Sequence, residues 1–114
     1  MLVLGVLAIL TAVQDDGAWG HELPDAILAK VVTPNDYPAA SLRRNEVGSV
    51  TFGVVVGIDG LVKSCTILQS SKSPRLDSRT CELMQARLRF KPAHDANGNA
   101  VEDHFWGKVN WVLN

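Results

Sequence analysis

Between Val47 and Leu68 apolar and polar positions alternate with the period of a β-strand, and they do so twice. Val50, Phe52, Val54 and Val56 fall on one side of a first strand. Gly57-Ile58-Asp59-Gly60 then supplies an Asp-Gly pair, which tolerates positive φ and reverses the chain. From Leu61 a return strand puts Cys65 and Ile67 on one face and Ser64, Thr66 and Leu68 on the other, because successive side chains alternate across a sheet. A lone hairpin is only marginally stable in water, so the rest of the chain must cover one of its faces.

The pattern beyond the hairpin turns helical. Cys81, Met84 and Leu88 recur at i, i+3 and i+7 with Leu83 beside them, while Arg79, Glu82 and Arg87 fall outside the stripe. This predicts a helix from Leu76 to about Arg89, with Asp77 as N-cap, Leu76 as staple residue and Pro92 as the stop. Upstream, Pro34-Asn35-Asp36-Tyr37-Pro38 breaks the chain ahead of a short helix from about Pro38 to Asn45. Its Ala39 and Leu42, with nearby Tyr37, are expected to face the sheet. Ile27 to Val32 fits a short strand or an arm equally well. Downstream, His94 to Asn99 reads as a turn and Val101 to Leu113 as a final strand, with Gly107 marking a bulge. The order α-β-β-α-β predicts an α+β fold: a three-stranded antiparallel sheet with two helices packed on one face.

Leu2 to Val13 forms an apolar run closed by Gln14-Asp15-Asp16-Gly17. It has the length of a signal-peptide core and falls short of the roughly 20 residues that span a bilayer. We therefore read residues 1–14 as an export signal or short anchor, 15–33 as an N-terminal arm, and 34–114 as the folded domain. The chain of 114 residues, 46% of them hydrophobic, suits one domain with a modest core. A net charge of -1 lacks the basic excess of a nucleic-acid footprint, which argues against a nucleic-acid partner. Charge is uneven, however: Lys72, Arg75, Arg79, Arg87, Arg89 and Lys91 face only Asp77 and Glu82 in the same stretch, either as a solvated helix face or as a site for an anionic partner.

The two cysteines are too few for a disulfide scaffold and lack metal-ligand spacing, so they either pair or stay as buried thiols. Compartment decides between these, because disulfides persist where the surroundings are oxidising. With export as the reading, a Cys65–Cys81 bond between hairpin and helix is predicted. No acid–base or nucleophile constellation emerges: His21, His94 and His104 are dispersed, Asp59 and Asp77 serve turn and cap, and Ser70-Ser71 lacks a base. Neither enzymatic activity, a metal nor a cofactor is expected.

Several short segments carry a resemblance in their order and spacing. Tyr37-Pro38-Ala39-Ala40, Val47-Gly48-Ser49-Val50, Val56 to Val62, Ser70-Ser71, Leu76-Asp77 and Arg87-Leu88-Arg89-Phe90-Lys91-Pro92-Ala93 together resemble the C-terminal domain of TonB-family proteins. The likeness runs from about Pro34 to Leu113. It implies a periplasmic domain, exported or tethered to the inner membrane, that takes an extended peptide of an outer-membrane transporter onto a sheet edge in energy-coupled transport. An unpaired edge offers a row of N–H and C=O groups to such a strand. The resemblance also implies that the final strand is that edge, so Phe105, Trp106, Val109 and Trp111, helped by Tyr37, are the expected partner-binding residues, with at least one tryptophan in the core. The partner implied is an extended peptide of an outer-membrane or other envelope protein. A homodimer paired through the same edge would use the same groups. The alternative is an envelope domain whose cationic helix meets peptidoglycan or lipid headgroups.

Overall fold

A computed structural model of the protein describes residues 19–113, and the export reading of residues 1–14 lies outside them. Along the chain come β1 (His21–Glu22), α1 (Asp25–Val31), a 3-10 turn (Pro34–Asp36), α2 (Ala39–Arg43), β2 (Gly48–Val56), β3 (Val62–Gln69), α3 (Pro74–Arg87), β4 (Ala93–His94), β5 (Ala100–Val101) and β6 (Asp103–Trp111). The main sheet has the order β1-β6-β2-β3, while β4 and β5 form a separate small ladder. β2 pairs antiparallel with both β3 and β6, and β1 pairs parallel with β6. The α+β class holds. The sheet has a fourth strand, and α1 adds a helix to the expected pair.

The hairpin forms as its sequence dictates. Gly60 takes φ 84°, its N–H donates to the Gly57 carbonyl at 2.9 Å, and Asp59 Oδ1 accepts from the Leu61 N–H. Val50, Phe52, Val54 and Val56 are all buried on one face. Across the ladders Val54 lies opposite Cys65 and Phe105, and Val50 opposite Val109, so this face continues over three strands. α3 packs on β2 and β3 and α1 on α3, which puts the helices over that apolar face. Cys65 and Cys81 are bonded with Cα atoms 5.7 Å apart, tying β3 to α3.

Three local readings need correction. Asp77 does not cap α3: Ser73 does, its Oγ accepting from the Leu76 N–H, because Pro74 fits the first helical position where no N–H is needed. Asp77, one turn in, instead accepts from Ser70, Ser71 and the Ser71 N–H, fixing the loop before the helix. In α2, Ala39 and Leu42 are exposed and Ser41 is the buried residue, since Glu46 reaches back to its hydroxyl. Gly107 marks no bulge, for the β2–β6 register runs unbroken from Gly48–Trp111 to Val56–Asp103. A Cβ at 107 would stand 2.9 Å from the Phe52 ring, so the residue is glycine because that ring fills the space.

The segment left open between strand and arm is helical. Asp25 in its first turn and Lys30 in its last complement the helix dipole, and Leu28 and Val31, three apart, are the buried pair. Among the described residues no helix is long and apolar enough to cross a membrane.

Candidate functional site: the outer edge of the last strand

The Leu23 N–H donates to the Trp106 carbonyl at 2.8 Å, so the backbone groups of Trp106 point away from β2. Alternate residues of a strand point the same way. His104, Trp106, Lys108 and Asn110 therefore present N–H and C=O groups to the outer side, while Phe105, Gly107, Val109 and Trp111 bond to β2. β1 registers only against Phe105 and Trp106, and the chain then leaves the sheet through Pro24 into α1. Among the described residues no backbone hydrogen bond reaches the outward groups of Lys108 or Asn110.

Beside this open stretch lies a groove of about 320 Å³, whose walls include Val32, Pro34, Tyr37, Leu42, Trp111 and Leu113. Its floor is held firmly. Trp111 is buried, meets Tyr37 edge-to-face at a 5.1 Å centroid distance, and donates its indole N–H to Thr80 Oγ1 at 2.9 Å. The Tyr37 hydroxyl donates to the Glu46 carbonyl. Burial, and then the charge of Glu46, push its phenol above the usual range, so it stays a neutral donor.

The five expected partner-binding residues thus separate. Val109 and Trp111 point into the core beneath α3, and of the two Trp111 also forms a wall of the groove. Phe105 is half-buried on the same face, stacked on Phe90 at 4.5 Å with His21 against it at 5.6 Å. Trp106 stands on the opposite, outer face, where Trp19 covers Gly53. Tyr37 lines the groove. Four of the five share the backbone of β6, and Tyr37 joins them through its ring against Trp111.

Two carboxylates, Asp36 and Glu46, to which the sequence alone assigns no role at the site, hold the surroundings of the groove. Asp36 is buried and takes both guanidinium nitrogens of Arg87, at 2.7 and 3.0 Å, together with the Thr33 N–H at 2.8 Å. These hydrogen bonds, Arg87 first and the Thr33 backbone next, draw its pKa from 3.8 to about 2. Arg79 adds a bond to the Asp36 carbonyl, and Arg87 another to the Val31 carbonyl. Glu46 accepts from Ser41, Ser73 and Arg75, which holds its carboxyl below the usual range, the Ser41 hydroxyl foremost. The signal for Asp36 was present in the sequence: Thr33-x-x-Asp36 is the spacing of a capping box, with the acid reaching back to the N-cap amide. Nothing local marks Glu46, whose partners come from α2 and α3.

This network also occupies the cationic run. Arg75, Arg79 and Arg87 are paired with Glu46, Asp36 and Glu82, and Arg89 donates to the Leu88 carbonyl. Among the described residues no group of three or more His, Cys, Asp or Glu side chains converges where a metal ion fits. The family described as Gram-negative bacterial TonB protein C-terminal matches residues 33–113. No protein with a curated description matches the chain.

Proposed function

Since the chain belongs to the TonB C-terminal domain family, we propose that it is an exported protein-binding module of the Gram-negative envelope, which takes an extended segment of an outer-membrane or other envelope protein onto the outer edge of β6. One observation carries the reading. Lys108 and Asn110 direct their backbone N–H and C=O groups outward, unpaired by the backbone of any described residue, alongside an apolar groove. Main-chain hydrogen bonds to these groups supply affinity, and the groove beside Tyr37 takes a side chain of the added strand. The alternative through a cationic helix has fewer charges to draw on, because Arg75, Arg79 and Arg87 are paired with carboxylates of this chain and it rests on Lys72, Arg89 and Lys91.

The test begins with capture from a Gram-negative envelope extract on the immobilised protein. Backbone amide exchange is then measured with and without the protein retained. New protection at Lys108–Val112 is expected. Protection centred on Arg79–Arg89 moves the function to the helix, and protection only upon self-association turns the edge into a dimer contact.

A further inference from the structure

We propose that Trp19–Leu23 is a built-in occupant of the β6 edge, held in place of a partner's strand and displaced when that strand binds. The proposal rests on the edge reading above and adds its regulation. The free part of the edge is short. Among the described residues Lys108 and Asn110 are the β6 residues that offer outward backbone groups beyond β1; such groups recur at every second residue, so the two serve the stretch Gly107–Trp111, and β1 holds the rest of the edge. A partner strand that pairs along more of β6 than Gly107–Trp111 therefore collides with Glu22 and Leu23 unless the arm leaves. Its departure adds Trp106 to the available row.

The arm gives up one core side chain, Leu23, when it leaves, and is otherwise lightly held. β1 has two residues, both exposed, and it pairs parallel, the weaker geometry per residue. Its attachments are the two-residue ladder with the Leu23 N–H on Trp106, the buried Leu23 side chain, Trp19 over Gly53 and edge-on to His104 at 6.0 Å, and His21 against Phe105 at 5.6 Å and 3.9 Å from Asp103. Pro24 separates it from α1, which has its own anchors in Leu28, Val31 and the Arg87 bond to the Val31 carbonyl. Gly20 shows how closely the arm is fitted. With φ at 75°, it lies so near the His104 carbonyl that any Cβ would overlap the oxygen. A tethered strand of this kind competes at high effective concentration, and a partner must exceed that competition to bind.

The experiment uses the full chain and, as probe, a synthetic peptide copying Trp19–Pro24. Gly20→Val prises the arm from His104, and Leu23 is the core residue that the arm carries with it. The peptide is expected to bind this variant about tenfold or more tightly than the wild type, with amide shifts at Trp106 and Lys108. Equal binding to both proteins overturns the proposal, as does absence of binding at millimolar peptide to a variant whose Trp111 and Phe52 resonances stay native. Amide exchange of the wild type gives an independent measurement. The Leu23 N–H should exchange about a hundredfold or more faster than those of Phe105 and Gly107, which face β2. Exchange at one common rate makes β1 an integral strand and overturns the proposal. Should an envelope protein protect Lys108–Asn110 while Leu23 keeps its own protection, the edge reading stands and the displacement falls.

Discussion

Asp36, with Glu46 and the Val31 carbonyl, holds the chain before the hairpin to α3, and its charge sets an acid limit on its share of that attachment. Its pKa is about 2 in the folded protein against an ordinary 3.8, so folding favours the ionised form. The resulting stability is fully present above the ordinary value and is lost as pH falls from 3.8 towards 2. Urea unfolding should show this contribution flat above pH ~5 and declining below ~4. In Asp36→Asn the acid-sensitive part should shrink, with a cost on the order of 2 kcal/mol at neutral pH from the lost charge-assisted bonds. An unchanged pH profile would show that Arg87 and Thr33 do not hold the carboxylate. Gly107 makes a second prediction at this scale. In Gly107→Ala the new methyl meets Phe52 at 2.9 Å and Leu28 at 3.3 Å, so destabilisation of about 1–3 kcal/mol by overpacking is expected in denaturant titration.

Among the elements, β3 depends most on something other than its neighbours in the sheet. It is the far edge of the sheet, bound to β2 on one side only, and its Cys65 is tied to Cys81 of α3 across a separation of 16 residues. Closing a loop of that size stabilises by about 3 kcal/mol in the chain-entropy model. Adding a reductant should therefore shift the unfolding midpoint downward and release two titratable thiols. Two thiols titrating in the oxidised protein under denaturant would refute the bond. α3 stays in register even so, because Ser73 caps it and Thr80 receives the Trp111 indole.

For the molecule as a whole, the distribution of charge and free backbone separates two ways of meeting a partner. Binding through exposed cations weakens steeply as salt rises, since the Debye length falls to about 3 Å at 1 M, whereas main-chain bonding at an edge with an apolar groove is screened far less. An envelope protein captured by the mechanism proposed here should stay bound through a 1 M salt wash, judged by the amount retained. Complete elution by salt would point to Lys72, Arg89 and Lys91, the members of the cationic run without a carboxylate partner among the described residues.

Local pattern was enough for whatever rests on local physics. Alternation from Val50 to Val56, the Asp59-Gly60 turn and the spacing of Leu83, Met84 and Leu88 specify the hairpin and the helix that covers it, because each signal acts within a few residues. The disulfide followed too, since both cysteines lie on faces that those periods define. The tertiary structure decided what depends on residues far apart in the chain. His21 and Glu22 carry no strand pattern and become β1 only because Phe105 and Trp106 offer them an edge. Gly107 is explained by a ring that arrives from Phe52, and Glu46 by hydroxyls from Ser41 and Ser73. Above all, the sequence marks aromatic side chains on the last strand, while the candidate site is made of the backbone groups of Lys108 and Asn110. Every residue carries such groups, and only the packing of the sheet determines which are left without a partner.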